Sequence, residues 1–209
     1  MENLSALVGV IAALTVGVIS PGPSFVLVAR TAVSSSRAKG VAAAIGMGAG
    51  GVVFAVAALF GLQGLLLAVP SVYLALKVLG GLYLAYLGIR IWRAAKQPLP
   101  VVGLAGERTS TFKSLLLGFT TQISNPKTAI VYASVFAAFM PATQSLGFDL
   151  ALVALVFSIE ATWYSVVALA LSSERPRSAY LRHKAWVDRI AGGVMVALGV
   201  KLASSAFRA

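Results

Sequence analysis

Six long apolar runs, joined by short polar connections, leave this chain very little choice of fold. They fall near Leu4–Ala29, Val41–Leu66, Ser71–Trp92, Ser114–Met140, Gly147–Ser172 and Val187–Ser205. A helix needs about 20 apolar residues to cross the hydrocarbon of a bilayer. Backbone that enters lipid must satisfy its own polar groups, which a helix does within one segment. Hydrophobic residues make up 59% of the chain and charged ones 11%, against roughly a quarter charged in soluble domains. A soluble core of this size could not bury so much apolar surface. The sequence therefore predicts an all-α integral membrane protein of about six transmembrane helices. The start, Met1-Glu2-Asn3-Leu4, lacks the positive stretch of a secretory signal, so the first run is counted with the mature protein.

The net charge of +11 has its explanation in topology. The basic residues sit in clusters between apolar runs and form no continuous basic face, which argues against nucleic acid as a partner. The connection after run one carries Arg30, Arg37 and Lys39, and the one after run three carries Arg90, Arg93, Lys96, Arg108 and Lys113. The one after run five carries Arg175, Arg177, Arg182, Lys184 and Arg189. The other two connections, around Gln63–Pro70 and Pro141–Asp149, hold no Lys or Arg. The positive-inside rule places connections one, three and five in the cytoplasm and both termini outside; Lys201 and Arg208 run against that assignment. There is no cysteine, and His183 is the one histidine, so thiolate and multi-histidine metal sites are excluded and no cofactor is expected.

The two halves of the chain resemble each other. Ile19-Ser20-Pro21-Gly22-Pro23 in run one is matched by Ile123-Ser124-Asn125-Pro126-Lys127 in run four. Gly80-Gly81 followed by Leu87-Gly88-Ile89-Arg90 in run three is matched by Gly192-Gly193 followed by Leu198-Gly199-Val200-Lys201 in run six. The expected organisation is one membrane domain, with three-helix repeats at 1–97 and 114–209 and a basic cytoplasmic linker at 98–113. Three is an odd number of crossings, so the second repeat enters the membrane inverted, as in many secondary transporters.

Runs one and four cannot be regular helix throughout. Pro21 and Pro23 remove backbone donors and clash with the preceding turn, with Gly22 between them, and Asn125-Pro126 interrupts run four. Counting roughly 1.5 Å per residue from Lys113, Asn125 lies about 18 Å deep, near the midplane. Pro21–Pro23, counted from Arg30, lie roughly 10–14 Å deep. Irregular backbone at that depth must be buried or line a cavity. Each break also reads as a helix start, with Asn125 as cap and Pro126 in the first turn, or Gly22 followed by Pro23. The N-terminal ends of two half-helices then converge on the interior and favour a carboxylate there. Two purely structural kinks are the alternative.

Glu160 lies near the centre of run five, with apolar sequence on both sides. A carboxylate there must pair, face water or hold a proton. Trp163 and Tyr164 follow at i+3 and i+4 on the same face. Lys127, just after the second break, is the candidate partner of Glu160, in a proton-coupling pair or a structural one. Lys77 snorkels, and Asp188 and Arg189 belong to the interface. Gly46, Gly48, Gly50 and Gly51 form a smooth strip for close helix contact. Its partner is either another helix of this chain or a second copy in a homodimer.

Taken together, the sequence resembles the LysE/RhtB family of amino-acid exporters. The matching elements are the Pro-Gly-Pro within Ser20–Arg30, Gly-Gly-Leu-Tyr-Leu-Ala-Tyr-Leu-Gly at Gly80–Gly88, Asn125-Pro126-Lys127 and the final Gly-Gly…Leu-Gly segment. The resemblance implies export of amino acids across the bacterial inner membrane, driven by the proton gradient. It also implies that Pro21, Gly22, Pro23, Asn125, Pro126 and Lys127 are site positions.

The residues and the resemblance lead to one reading, a proton-coupled exporter working by alternating access. Its substrate would be held by Ser20, Pro21, Gly22, Pro23, Ser24, Ser124, Asn125, Pro126, Lys127, Trp163 and Tyr164, with Glu160 and Lys127 coupling the proton. With one central carboxylate a neutral amino acid fits better than a basic one. The partners are then an amino acid, protons and membrane lipids. The alternatives are an exporter of another small solute, or a membrane-embedded enzyme using Glu160 and Lys127.

Overall fold

The computed structural model describes residues 2–20, 22–68, 70–97, 110–141 and 144–205. They form eight helices: α1 (Glu2–Ile19), α2 (Pro23–Ser34), α3 (Arg37–Ala68), α4 (Pro70–Ala94), α5 (Thr111–Ile123), α6 (Pro126–Phe139), α7 (Leu146–Leu171) and α8 (Glu174–Ser205). No strand occurs among the described residues. Polar side chains mark the helix starts. Ser110 accepts from the Lys113 N–H at the start of α5, Asn125 from Lys127 N–H at α6, and Ser145 from Phe148 N–H at α7.

By length and apolar composition, α3 over Arg37–Gly61 and α7 are each able to cross a membrane. The pair α1 and α2 is able to do so jointly, across a 58° bend between Ala6–Ile19 and Pro23–Val33. The outside of the bundle is apolar, with Phe60, Leu79, Leu82, Leu150 and Ile190 all exposed, as a lipid-facing surface requires.

One expected connection is instead helix. The basic stretch from Arg175 to Arg189 belongs to α8, which starts at Glu174 and continues unbroken to Ser205. Asp188, expected at the interface, is buried (3% exposed), where its carboxylate accepts a 2.6 Å hydrogen bond from Lys184. Lys184 also donates to the Ala95 carbonyl just past the end of α4.

Glycines bring the long helices close and show their relative directions. A Cβ on Gly40, Gly48 or Gly51 of α3 would come within 3.4 Å of Ala168, Ala161 and Val156 of α7 in turn, so these helices run antiparallel. Gly81 lies against Gly199 and Gly88 against Gly192, which makes α4 and α8 antiparallel as well. In contrast, α3 and α5 run parallel: Gly118 meets Ala43, and Gly50 meets Gln122. The glycine strip of run two is thus used inside this chain, against α5 and α7.

Two apolar clusters bracket the broken region. One joins α1, α3, α6 and α7 through Val10, Leu14, Leu59, Phe136, Leu152 and Val156. The other joins α2, α3 and α7 through Phe25, Val28, Met47, Val167 and Leu171. Between them lies the polar site.

Candidate functional site

Each break lies where the sequence forbids continuous helix. Gly22 is the extended N-cap residue of α2, with Pro23 in its first turn. Asn125 caps α6 and Pro126 follows it. Two helix starts, with backbone N–H groups that find no partner inside the helix, therefore sit beside each other in the interior.

A cavity of about 20 Å³ lies there, lined by Ser20, Gly22 and Ser24 of the first break, by Asn125, Lys127, Thr128 and Tyr132 of the second, and by Glu160 and Tyr164 of α7. Leu14, Gly17, Val18 and Val131 supply its apolar wall. That space holds about one water molecule, so in this conformation the site is contracted.

The hydrogen bonds cross between the breaks. Lys127 Nζ donates to the Ser20 carbonyl at 2.8 Å. Ser24 Oγ donates to Gln122 Oε1 at 2.7 Å and accepts from Asn125 Nδ2 at 3.0 Å. Tyr132 donates to Glu160 Oε1 at 3.0 Å. Glu160 Oε2 and Ser20 Oγ have no hydrogen-bond partner although both are buried. Glu160 is 1% exposed and touches α3 at Gly51, where a side chain would collide with Tyr132 and crowd Glu160 Cγ.

Ser20, Gly22, Ser24, Asn125, Lys127, Glu160 and Tyr164, all singled out in the sequence, are brought to this one cavity. Pro23, Ser124 and Pro126 shape the breaks but stay outside its lining and are exposed, and Pro21 lies outside the described residues. Trp163 is turned away, packed against the cluster around Phe25, with its buried indole N–H unpartnered. Glu160 and Lys127 share the cavity without an ion pair. Lys127 bonds to a backbone carbonyl, because that end of the broken helix α1 leaves carbonyls free for a cation.

Gln122, Thr128 and Tyr132 went unnoticed in the sequence. Gln122 had a signal: it is an amide in an apolar run, three residues before Asn125, and it is 1% exposed. Thr128 and Tyr132 follow Asn125 at i+3 and i+7, which puts them on one helix face.

Residues 15–206 match the family described as LysE type translocator. The chain belongs to that family. Membership makes this LysE-type chain a membrane transporter and removes the embedded-enzyme alternative. Among its relatives, the threonine efflux protein of Salmonella typhi is 32% identical over 189 residues, covering 90% of this chain and 92% of that protein. The threonine efflux protein of Escherichia coli (strain K12) is 32% identical over 193 residues, with the same coverage. The leucine efflux protein of Enterobacter sp. (strain 638) is 26% identical over 190 residues, covering 90% of this chain and 88% of that protein. No solved structure matches.

Proposed function

We propose that this translocator exports neutral amino acids in exchange for protons, from the cavity between the two breaks. One observation carries the reading. A cavity in a membrane protein is lined by residues of two half-helix starts, by a lysine and by a buried carboxylate with an unpartnered oxygen. The α-carboxylate of an amino acid suits the N-terminal ends of α2 and α6 and the Lys127 ammonium. Its α-ammonium group suits Glu160 Oε2 and Ser20 Oγ. Both buried acceptors would then gain the partner that burial demands. The apolar wall at Leu14, Val18 and Val131 leaves an uncharged side chain in a neutral environment. A second ammonium or guanidinium would be left without a counter-charge.

The same carboxylate explains proton coupling. Glu160 binds either the substrate cation or a proton, so the two compete for one site and travel in opposite senses. Alternating access follows if the two bracketing apolar clusters open in turn. The six-span arrangement has α1–α2, α3, α4, α5–α6, α7 and α8 as crossings, in two inverted sets. The antiparallel α3–α7 and α4–α8 pairs support it. The basic connections one, three and five then face the cytoplasm of a bacterial inner membrane. The names of the threonine and leucine efflux relatives support the substrate class and the direction.

Proteoliposomes loaded with radiolabelled L-threonine or L-leucine test the reading. Imposing a pH gradient, acidic outside the protein's outer face, should accelerate release several-fold over vesicles at equal pH. Release indifferent to the gradient would remove the coupling, and absence of any amino-acid movement would remove the substrate class.

A further inference from the structure

The first break is fastened on both sides by residues of the second. Before it, the Ser20 carbonyl accepts from Lys127 Nζ; after it, the Ser24 hydroxyl bridges Asn125 and Gln122. Between these fastenings lie Pro21, Gly22 and Pro23. The fastenings come from helices a hundred residues away, so they set the angle between α1 and α2 rather than either helix itself. Gln122 is held in turn, because Gly50 of α3 has no side chain and a Cβ there would fall 2.6 Å from Gln122 Cβ.

We propose that Gln122 is a positioning residue: through the Ser24 hydroxyl it latches α2 against the α5–α6 break, and substrate binding releases that latch. The inference rests on the reading that a carboxylate enters this cavity. Both fastenings end on neutral acceptors, an amide oxygen and a peptide carbonyl. A substrate carboxylate offers Ser24 a charged acceptor in place of the amide, a bond roughly twice as strong, and offers the Lys127 ammonium an opposite charge in place of a neutral carbonyl. Rebonding to the substrate therefore frees Gln122 Oε1 and the Ser20 carbonyl together and unfastens both ends of the hinge. α2 is then able to lift Phe25 and Val28 out of their cluster with Met47 of α3 and Val167 and Leu171 of α7, opening one side of the cavity. Occupancy of the site is thus converted into movement of one half-helix.

The cysteine-free sequence permits a direct test. Val28 of α2 is fully buried in the apolar cluster, and Val28→Cys gives a single thiol that reacts only when α2 lifts. The rate of labelling by N-ethylmaleimide is measured in proteoliposomes, with and without saturating L-threonine, alongside L-threonine transport. Adding Gln122→Met to the Val28→Cys chain should raise the amino-acid-free rate about five- to tenfold, the effect of one neutral hydrogen bond. Ser24→Ala, which also removes the bond from Asn125, should raise it at least as much, and adding Gln122→Met to Ser24→Ala should raise it no further. L-threonine should accelerate labelling in the Val28→Cys chain and have little effect in the variants. Ser24→Ala removes one hydroxyl, and it carries the comparison should Gln122→Met fail to reach the membrane. Labelling unchanged by both substitutions would overturn the latch, and so would additive effects in the double variant. If the reference chain transports no amino acid and yet the variants label faster, the latch stands and the transport reading falls.

Discussion

Glu160 is a buried carboxylate with one oxygen bonded to Tyr132 and the other, Oε2, without a hydrogen bond of good geometry. Replacement by Gln keeps the shape and an acceptor for Tyr132 while removing the charge and the titration. Glu160→Gln should therefore accumulate in the membrane at normal levels and lose the response of efflux to a pH gradient. Unaltered pH dependence in the proteoliposome assay would take Glu160 out of the coupling. Asn125 separates two roles in a different way. Its Oδ1 caps α6 through Lys127 N–H, and its Nδ2 donates to Ser24. Asn125→Asp keeps the cap and loses the donor, whereas Asn125→Ala loses both. A cap is worth about 1 kcal/mol, so Asn125→Ala should lower the thermal midpoint by several degrees and Asn125→Asp by much less. Transport should fall severely in both, because each leaves the Ser24 hydroxyl with one bond fewer. These roles show what was legible at this scale. Proline and glycine dictate the breaks locally, and a carboxylate amid apolar residues announces itself. Gln122 and Tyr132 become site residues only through contacts with Ser24 and Glu160, 98 and 28 positions away, and no local pattern encodes such distances.

Among the elements, α4 and α8 approach backbone to backbone, and glycine makes it possible. Gly81 and Gly199 face each other, as do Gly88 and Gly192, seven residues apart on each helix. Any Cβ at these points would fall against the backbone of the partner helix, which cannot step aside as a flexible side chain can. By contrast, Gly61 near the end of α3 has open space around it. Ala is the better helix former by about 1 kcal/mol, so Gly61→Ala should leave the thermal midpoint equal or slightly higher. Gly88→Ala should lower it, because overpacking costs about 1–3 kcal/mol and exceeds the gain in helix propensity. Thermal unfolding of the two purified variants side by side checks the contrast, and a stabilised Gly88→Ala would contradict the packing. The paired glycines were readable as a repeat, though not as a mutual seam. The helical start of α8 was hidden for another reason. Its charges look like a connection, yet Lys184 and Asp188 sit one turn apart and bond to each other, so the helix runs on through them.

At the scale of the molecule, the packing fixes which helices run with or against one another but not which face of the membrane each begins on. α3 runs parallel to α5 and antiparallel to α7, and α1 runs against α6, since Gly9 meets Phe139 and Gly17 meets Val131. The joined pair α5–α6 is the deciding case, because two short helices are able either to cross the bilayer in series or to dip in and return. α5 and α6 have 13 and 14 residues, each about half of what a crossing needs. In series they carry the chain from the basic connection at Lys96–Lys113 to the uncharged one around Pro141. They would then invert the second half relative to the first. Single cysteines introduced at Gln97, before α5, and at Gly147, after α6, read this out, and both positions are exposed. With a membrane-impermeant maleimide on right-side-out vesicles, Gly147→Cys should label at once and Gln97→Cys only after permeabilisation. Ala38→Cys and Ala179→Cys should behave like Gln97→Cys, since the proposed topology puts the basic stretches before α3 and at the start of α8 on the side of the one before α5. Labelling of Gln97→Cys and Gly147→Cys from the same face would make α5–α6 a re-entrant hairpin. The halves would then not be inverted copies, and the two half-helix starts would open toward one side of the membrane instead of meeting between its two faces.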